Sequence, residues 1–384
     1  MAGVTSAGAA MGGDQVVAAG EAARIVAVEA VLYRVPLAEA LVDAGHGLHT
    51  HFELVTCRIV CADGVEGVGY TYTGGTGGGA IRALLREDIA PLLKGADAHD
   101  VEALAARMRA TLHYLGVGGI CGFAIAAADI ALWDIRCKRL GKPLWQVAGG
   151  TDPAVRCYRG LIDLGYSDDQ LLERVAAEFA AGHTGIKLKV GRPDIATDIR
   201  RVRAVRELIG TDRALMADAN YSWDAPAAIA FARGVEDMNL AWFEEPVAHD
   251  DLDAYASVAA ATAIPLASGE NLRTPAEFGQ AIAHHAIAVL QPDASNIGGI
   301  TPWLDVARRA AAAGKPVASH GMHELHVSLM AAIPNAATLE IHSFPIDAYT
   351  TNPTTVTNGK TAAPNTTGSG VSFNTQRLKP HQVI

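Results

Sequence analysis

From about residue 155 onward, apolar residues fall into short runs, each followed by a polar loop and then by a stretch with helical spacing. Strands are predicted at residues 156–161, 185–190, 214–218, 240–244, 265–268, 289–292, 316–319 and 337–341. Helices are predicted between them at residues 167–181, 194–210, 225–236, 250–262, 274–283, 301–313 and 324–333. Alternation of this kind argues for a parallel sheet, and eight strands in about 190 residues argue for a closed (β/α) barrel, with a doubly wound open sheet as the alternative.

Ahead of that repeat the pattern differs. Residues 25–33 read as a strand, and residues 53–61 and 65–73 as a hairpin whose turn is Ala62-Asp63-Gly64. The Gly- and His-containing stretch between them has no periodicity and reads as a lid loop at about residues 38–51. Helical spacing governs residues 100–112 and 122–140, the second carrying Asp129 and Asp134, which read as packing acids. Gly75, Gly77 and Ala80 formally match a dinucleotide-binding pattern, but helix-like sequence follows where a second strand and its acid are required, so a flexible junction is the better reading. The expected organisation is an Ala/Gly-rich leader at 1–23, an α+β domain at 24–150, a barrel at 151–349, and a Thr- and Asn-rich segment at 350–384 that returns to the first domain.

Composition removes several function classes. The chain has 384 residues, is half apolar and carries a net charge of −10, which offers no electrostatic footprint for nucleic acid or an anionic membrane. Cys57, Cys61, Cys121, Cys137 and Cys157 are odd in number and lack a CxxC pair, as suits free thiols in a reducing compartment. The leader lacks the basic and apolar regions of a secretory signal, so a cytoplasmic location is the default.

Chemistry concentrates at the predicted strand ends. Lys187, Lys189, Asp218, Glu244, Glu270, Asp293, His320 and Glu340 each close a short apolar run, and from Lys189 on the spacing ranges from 20 residues (His320 to Glu340) to 29 (Lys189 to Asp218). In a barrel, such positions gather at one mouth. Any one of these acids alone reads as a helix cap. Asp218, Glu244 and Glu270 in register would instead repel one another strongly unless a cation sits between them, and oxygen ligands favour Mg²⁺, with Mn²⁺ as the alternative. The two-residue period turns Lys187 and Lys189 the same way, and burying two like charges is expected to lower their pKa values, the usual device for a lysine base. Asp293 can accept a hydrogen bond from one nitrogen of His320 and so fix its tautomer. His323-Glu-Leu-His326 is one residue short of the HExxH zinc spacing, which argues against zinc.

Taken together, IKLKVG (186–191), DAN (218–220), FEEP (243–246), SGEN (268–271), QPDASNIGGIT (291–301), SHGMHE (319–324) and LE (339–340) resemble the enolase superfamily, and within it the mandelate racemase subgroup. The resemblance implies a modified (β/α)₇β barrel under an α+β capping domain, and Mg²⁺ held by Asp218, Glu244 and Glu270. It implies that Lys187 binds a substrate carboxylate, Lys189 is the base on one face, His320 with Asp293 serves the other face, and Glu340 donates a hydrogen bond to the carboxylate. Asn220 would touch a substrate hydroxyl, and the assembly would be a homo-oligomer, an octamer or smaller ring. A lid bearing Thr71, Tyr72, Thr73, His46, His49 and His51 suits a small polyhydroxylated carboxylate as substrate. The resemblance thus implies an acid-sugar dehydratase, with racemase, epimerase or lactone cycloisomerase as alternatives in the same subgroup and a non-catalytic sugar-acid binder as an alternative outside it.

Overall fold

A computed structural model describes residues 19–384. The expected leader therefore lies largely outside the described residues. Two antiparallel strands, β1 (Ile25–Asp43) and β2 (Gly47–Cys61), pair along almost their whole length, and β3 (Glu66–Thr73) adds to β2. The lid expected as an irregular loop is instead the far end of this ribbon: Leu41 pairs with His49, Val42 with Leu48 and Asp43 with Gly47, beyond a register shift between Pro36 and Leu41. Alternation fails at that shift, which hides the strand from pattern reading, but Leu41, Asp43 and His49 are buried and hold the tip down.

Helix Gly119–Leu140 lies across β3. Contact is close enough that a Cβ at Gly69 would sit 2.0 Å from the Ala127 carbonyl oxygen, so no larger residue fits there. Asp134 takes hydrogen bonds from the backbone of Val68 and Ser369, and Asp129 from the backbone and hydroxyl of Thr301. Both acids thus tie the cap to other elements.

The second half is a parallel barrel. Its strands are β4 (Ala154–Gly160), β5 (Gly185–Lys189), β6 (Ala214–Asp218), β7 (Phe243–Glu244), β8 (Leu266–Ser268), β9 (Ile287–Leu290) and β10 (Leu339–Ile341), with β10 paired to β4. The predicted strand at 316–319 is reduced to bridges from Val317 to Leu290 and Ala336. Pro316 has no N–H to give, yet its carbonyl accepts from Leu290 N, and Val317 N and Ser319 N donate to Asn335 and Thr338. Those bonds close the ring as (β/α)₇β, because no helix separates β10 from the return to β4.

Beneath the mouth, Tyr158, Met216, Trp242, Ala267, Val289 and Ala318 fill the barrel interior. The C-terminal residues first add β11 (Lys360–Ala362) antiparallel to β4, then β12 (Gln382–Val383) pairs with Leu32 and Tyr33 of β1. All five cysteines are buried free thiols. Among the described residues no helix is long and apolar enough to cross a membrane.

Candidate active site

Parallel register brings the site together. Lys189 pairs with Asp218, and Asp218 with Glu244, so three successive strand ends place their side chains in one layer. Glu270 follows β8 by two residues and completes a group in which one oxygen from each of Asp218, Glu244 and Glu270 lies within 4.8 Å of the others. All three are buried.

Lys187 Nζ stands 2.5 Å from Glu244 Oε1, 3.0 Å from Glu340 Oε1 and 3.5 Å from Asp218 Oδ2. Lys189 Nζ is 2.5 Å from Asp218 Oδ2, and its backbone N–H is held by Asp163, which is paired with Arg201 at 2.8 Å. Here the expected lowering of lysine pKa is corrected. Burial does push both ammonium groups down, but Glu244 and Glu340 around Lys187, and Asp218 beside Lys189, outweigh it and raise both. Spacing revealed the like charges but not the carboxylates that face them.

His320 Nδ1 is 2.9 Å from Asp293 Oδ2, whose other oxygen accepts the Ser295 N–H at 2.7 Å. Its Nε2 comes within 3.1 Å of Glu270 Oε2. Burial opposes protonation, but Glu270 and the Asp293 hydrogen bond raise the imidazole pKa to about 10. Glu340 is held well below the usual carboxylate range: burial opposes ionisation, and Lys187 and His320 outweigh it. Its Oε2 accepts the Gly321 N–H at 2.9 Å. Oε2 thus accepts a hydrogen bond and Oε1 pairs with Lys187, opposite to the donor role the resemblance implies.

The carboxylates fit a hard divalent cation. Burial and the adjacent Asp218 charge push the Glu244 carboxyl up to about 7, an electrostatic penalty that a cation would remove. Glu270 Oε2 is buried without an aligned hydrogen bond despite the close His320 ring, and Asn220 Oδ1 beside the group is likewise unpaired. Trp242 Nε1 and Gln291 Nε2 donate to Glu244 Oε2 at 2.9 and 2.6 Å, orienting a carboxylate as outer partners of a metal ligand do.

Above this layer lies a cavity of about 270 Å³ lined by Lys189, Asn220, Glu270, Asp293 and His320 and roofed by the cap. His46 lines it, but both ring nitrogens are engaged, Nδ1 by Asp43 at 3.2 Å and Nε2 by the Tyr221 hydroxyl at 3.2 Å. His49 is buried on Asp43 at 2.8 Å, and His51 turns away to the Gly75 carbonyl. Tyr72 lines the cavity while its hydroxyl accepts the Met322 N–H at 2.8 Å. His323 and His326 are committed elsewhere, to Asp347 and to the Gly321 carbonyl, so they form no zinc pair.

Several residues of the site carried no role in the sequence reading. Glu245, inside the FEEP motif, is fully buried and accepts both hydrogen bonds of the Asn271 amide; Asn271 in turn accepts from Arg273. His342, just past the end of β10 and two residues beyond Glu340, lines the cavity as a neutral ring, its pKa pushed far down by burial. Its two-residue spacing from Glu340 could have found it.

A barrel closed by β10, with three buried carboxylates at its mouth and Lys189 and the Asp293–His320 pair beside them, has the donor set for a divalent metal. The chain belongs to the mandelate racemase/muconate lactonizing enzyme family of the enolase superfamily: residues 25–149 match the family's N-terminal domain and residues 170–377 the enolase C-terminal domain-like model. It is 42% identical over 347 residues, 90% of this chain and 96% of the relative, to 3,6-anhydro-alpha-L-galactonate cycloisomerase of Streptomyces coelicolor. It is 39% identical over 292 residues, 76% of this chain and 73% of the relative, to L-talarate/galactarate dehydratase of Salmonella typhimurium. A racemase from Streptomyces coelicolor A3(2), solved with bound magnesium, matches with a TM-score of 0.91 at 40% identity, covering 94% of this chain and all of that one. The protein is an enzyme of the mandelate racemase type.

Proposed function

We propose that the enzyme removes the proton α to the carboxylate of an acid sugar and expels the β-hydroxyl, giving a 2-keto-3-deoxy acid. Asp218, Glu244 and Glu270 would hold Mg²⁺, or Mn²⁺ with the same donors. When bound, that cation supplies charge stabilisation to the substrate carboxylate as the α-proton leaves.

The observation that carries this reading is the placement of Lys189 and the Asp293–His320 pair about the carboxylate group. Lys189 ends β5, and Asp293 follows β9, with β6, β7 and β8 between them in the curved sheet. A substrate carbon between them meets a base on either side. Lys187, fully buried, adds a fixed positive charge at the carboxylate. Sharing the charge of Asp218 with a cation weakens the grip on Lys189 and brings its proton affinity toward what a base requires. His320, protonated on the nitrogen that Asp293 leaves free, hands a proton to the departing hydroxyl; water leaves and the enol tautomerises to the keto acid.

Cycloisomerisation is the second reading, favoured by the 42% identity to the Streptomyces cycloisomerase over 90% of this chain. There the oxygen that leaves the substrate carbon stays within the molecule, and no water is lost. A screen of sugar acids with Mg²⁺, scored for 2-keto acid release, tests the proposal. Metal-dependent release of a 2-keto acid lighter than its substrate by one water supports dehydration; a 2-keto acid of unchanged mass supports the second reading; no conversion of any sugar acid overturns both.

A further inference from the structure

One cation at the cavity has no assigned task. Arg273 lines it from the loop after β8, makes no ion pair among the described residues, and uses its guanidinium in one protein hydrogen bond, from Nη2 to Asn271 Oδ1 at 3.0 Å. The side chain is partly buried, packed with its guanidinium carbon 5.8 Å from the Phe123 ring centre of the cap.

Its orientation is built rather than incidental. Glu245 is buried at the end of β7 with φ of +40°, a strained value for a non-glycine residue, and its two oxygens accept from Asn271 Nδ2 at 3.1 and 2.9 Å. That fixes which end of the amide faces which way, so Asn271 Oδ1 must point at Arg273. A buried carboxylate thus holds an amide, and the amide holds one arm of a guanidinium that lines the cavity and makes no other protein hydrogen bond among the described residues. An arginine presented this way matches a carboxylate with two parallel hydrogen bonds, which a hydroxyl cannot reproduce.

The other positive groups at the cavity are accounted for. Lys189 and His320 are the proposed proton-transfer groups, and His46 is held by Asp43. The reacting carboxylate belongs beside Lys187 and the three acids. We propose that Arg273 receives a second carboxylate at the far end of the substrate, so that the enzyme acts on sugar diacids (aldarates) in preference to monoacids. This inference rests on the reading of the site as one that acts on acid sugars, and Glu245 and Asn271 enter it as positioning residues.

The test compares matched probes on the Mg²⁺-loaded enzyme by α-proton exchange in D₂O and by product formation: galactarate against galactonate, glucarate against gluconate, and 3,6-anhydro-α-L-galactonate as a further monoacid. The wild type should favour the diacid of its best pair by about 100-fold in kcat/KM, as a site built for a polar group rejects an analogue lacking it. Arg273→Met should collapse that preference to within about threefold, mainly through KM, and Arg273→Lys should restore part of it because the charge remains without the fork. Monoacids used as well as diacids by the wild type, or equal losses on both in Arg273→Met, overturn the inference and leave the acid-sugar reading standing. No exchange with any probe overturns the reading of the site and this inference with it. The wild-type comparison decides the matter even if Arg273→Met fails to fold.

Discussion

Gly160 faces Glu340 so closely that a methyl group on its α-carbon would lie 2.0 Å from Glu340 Oε1. The same oxygen is the one that meets Lys187, and the two strands are neighbours in the barrel. Space left at one strand therefore sets the position of a charged group on the next.

Gly160→Ala should displace the Glu340 carboxylate and leave Lys187 short of a partner. Breaking a buried pair in this way costs about 3 kcal/mol. A lower melting temperature together with at least a tenfold loss in kcat/KM is the expected outcome, measured by thermal denaturation and by turnover. An unchanged kcat/KM would show that the Glu340 position does not matter to the reaction.

Trp242 joins the apolar plug to the proposed ligand Glu244 through its indole N–H. Trp242→Phe keeps most of the packing and removes that donor, leaving Gln291 alone on the oxygen. Mg²⁺ affinity measured by calorimetry should fall about tenfold, as loss of an outer partner of a metal ligand does. Equal affinity in both proteins would separate the plug from the metal site.

Asp129 gives the pH dependence. Burial raises its carboxyl pKa to about 7, more than the Thr301 hydrogen bonds lower it. The folded state therefore keeps a proton that the unfolded chain has already released above about pH 4. Stability from this group is fully present below that point and is lost as pH rises to about 7, at about 1.4 kcal/mol for each pH unit between the two values. Asp129→Asn should flatten the decline in melting temperature between pH 5 and 7; a decline as steep as that of the wild type would remove Asp129 as its source.

The barrel and its strand-end acids were legible because each depends only on local rhythm: a short apolar run, then a polar residue at the mouth. What escaped the pattern depends on contacts between distant segments. The ribbon at 38–51 forms because Leu41, Asp43 and His49 are buried and the tip bonds to the barrel at Val42, despite a break in alternation between Pro36 and Leu41. The sign of the lysine shift was missed because Lys187 is 57 residues from Glu244, its nearest counter-charge. Glu245 could be read as part of a motif, but its hold on Asn271, 26 residues away, could not. Nor could Arg273, an ordinary loop arginine until the Asn271 contact gives it a direction.

The central claim is that Lys189 and His320 serve opposite faces of one carbon. Exchange of the α-proton in D₂O, followed by NMR with the most active sugar acid of the screen and saturating Mg²⁺, tests it directly in Lys189→Ala and His320→Asn. Each variant should lose exchange at the face its missing group serves while still binding Mg²⁺. Exchange at the wild-type rate in both variants would contradict the account.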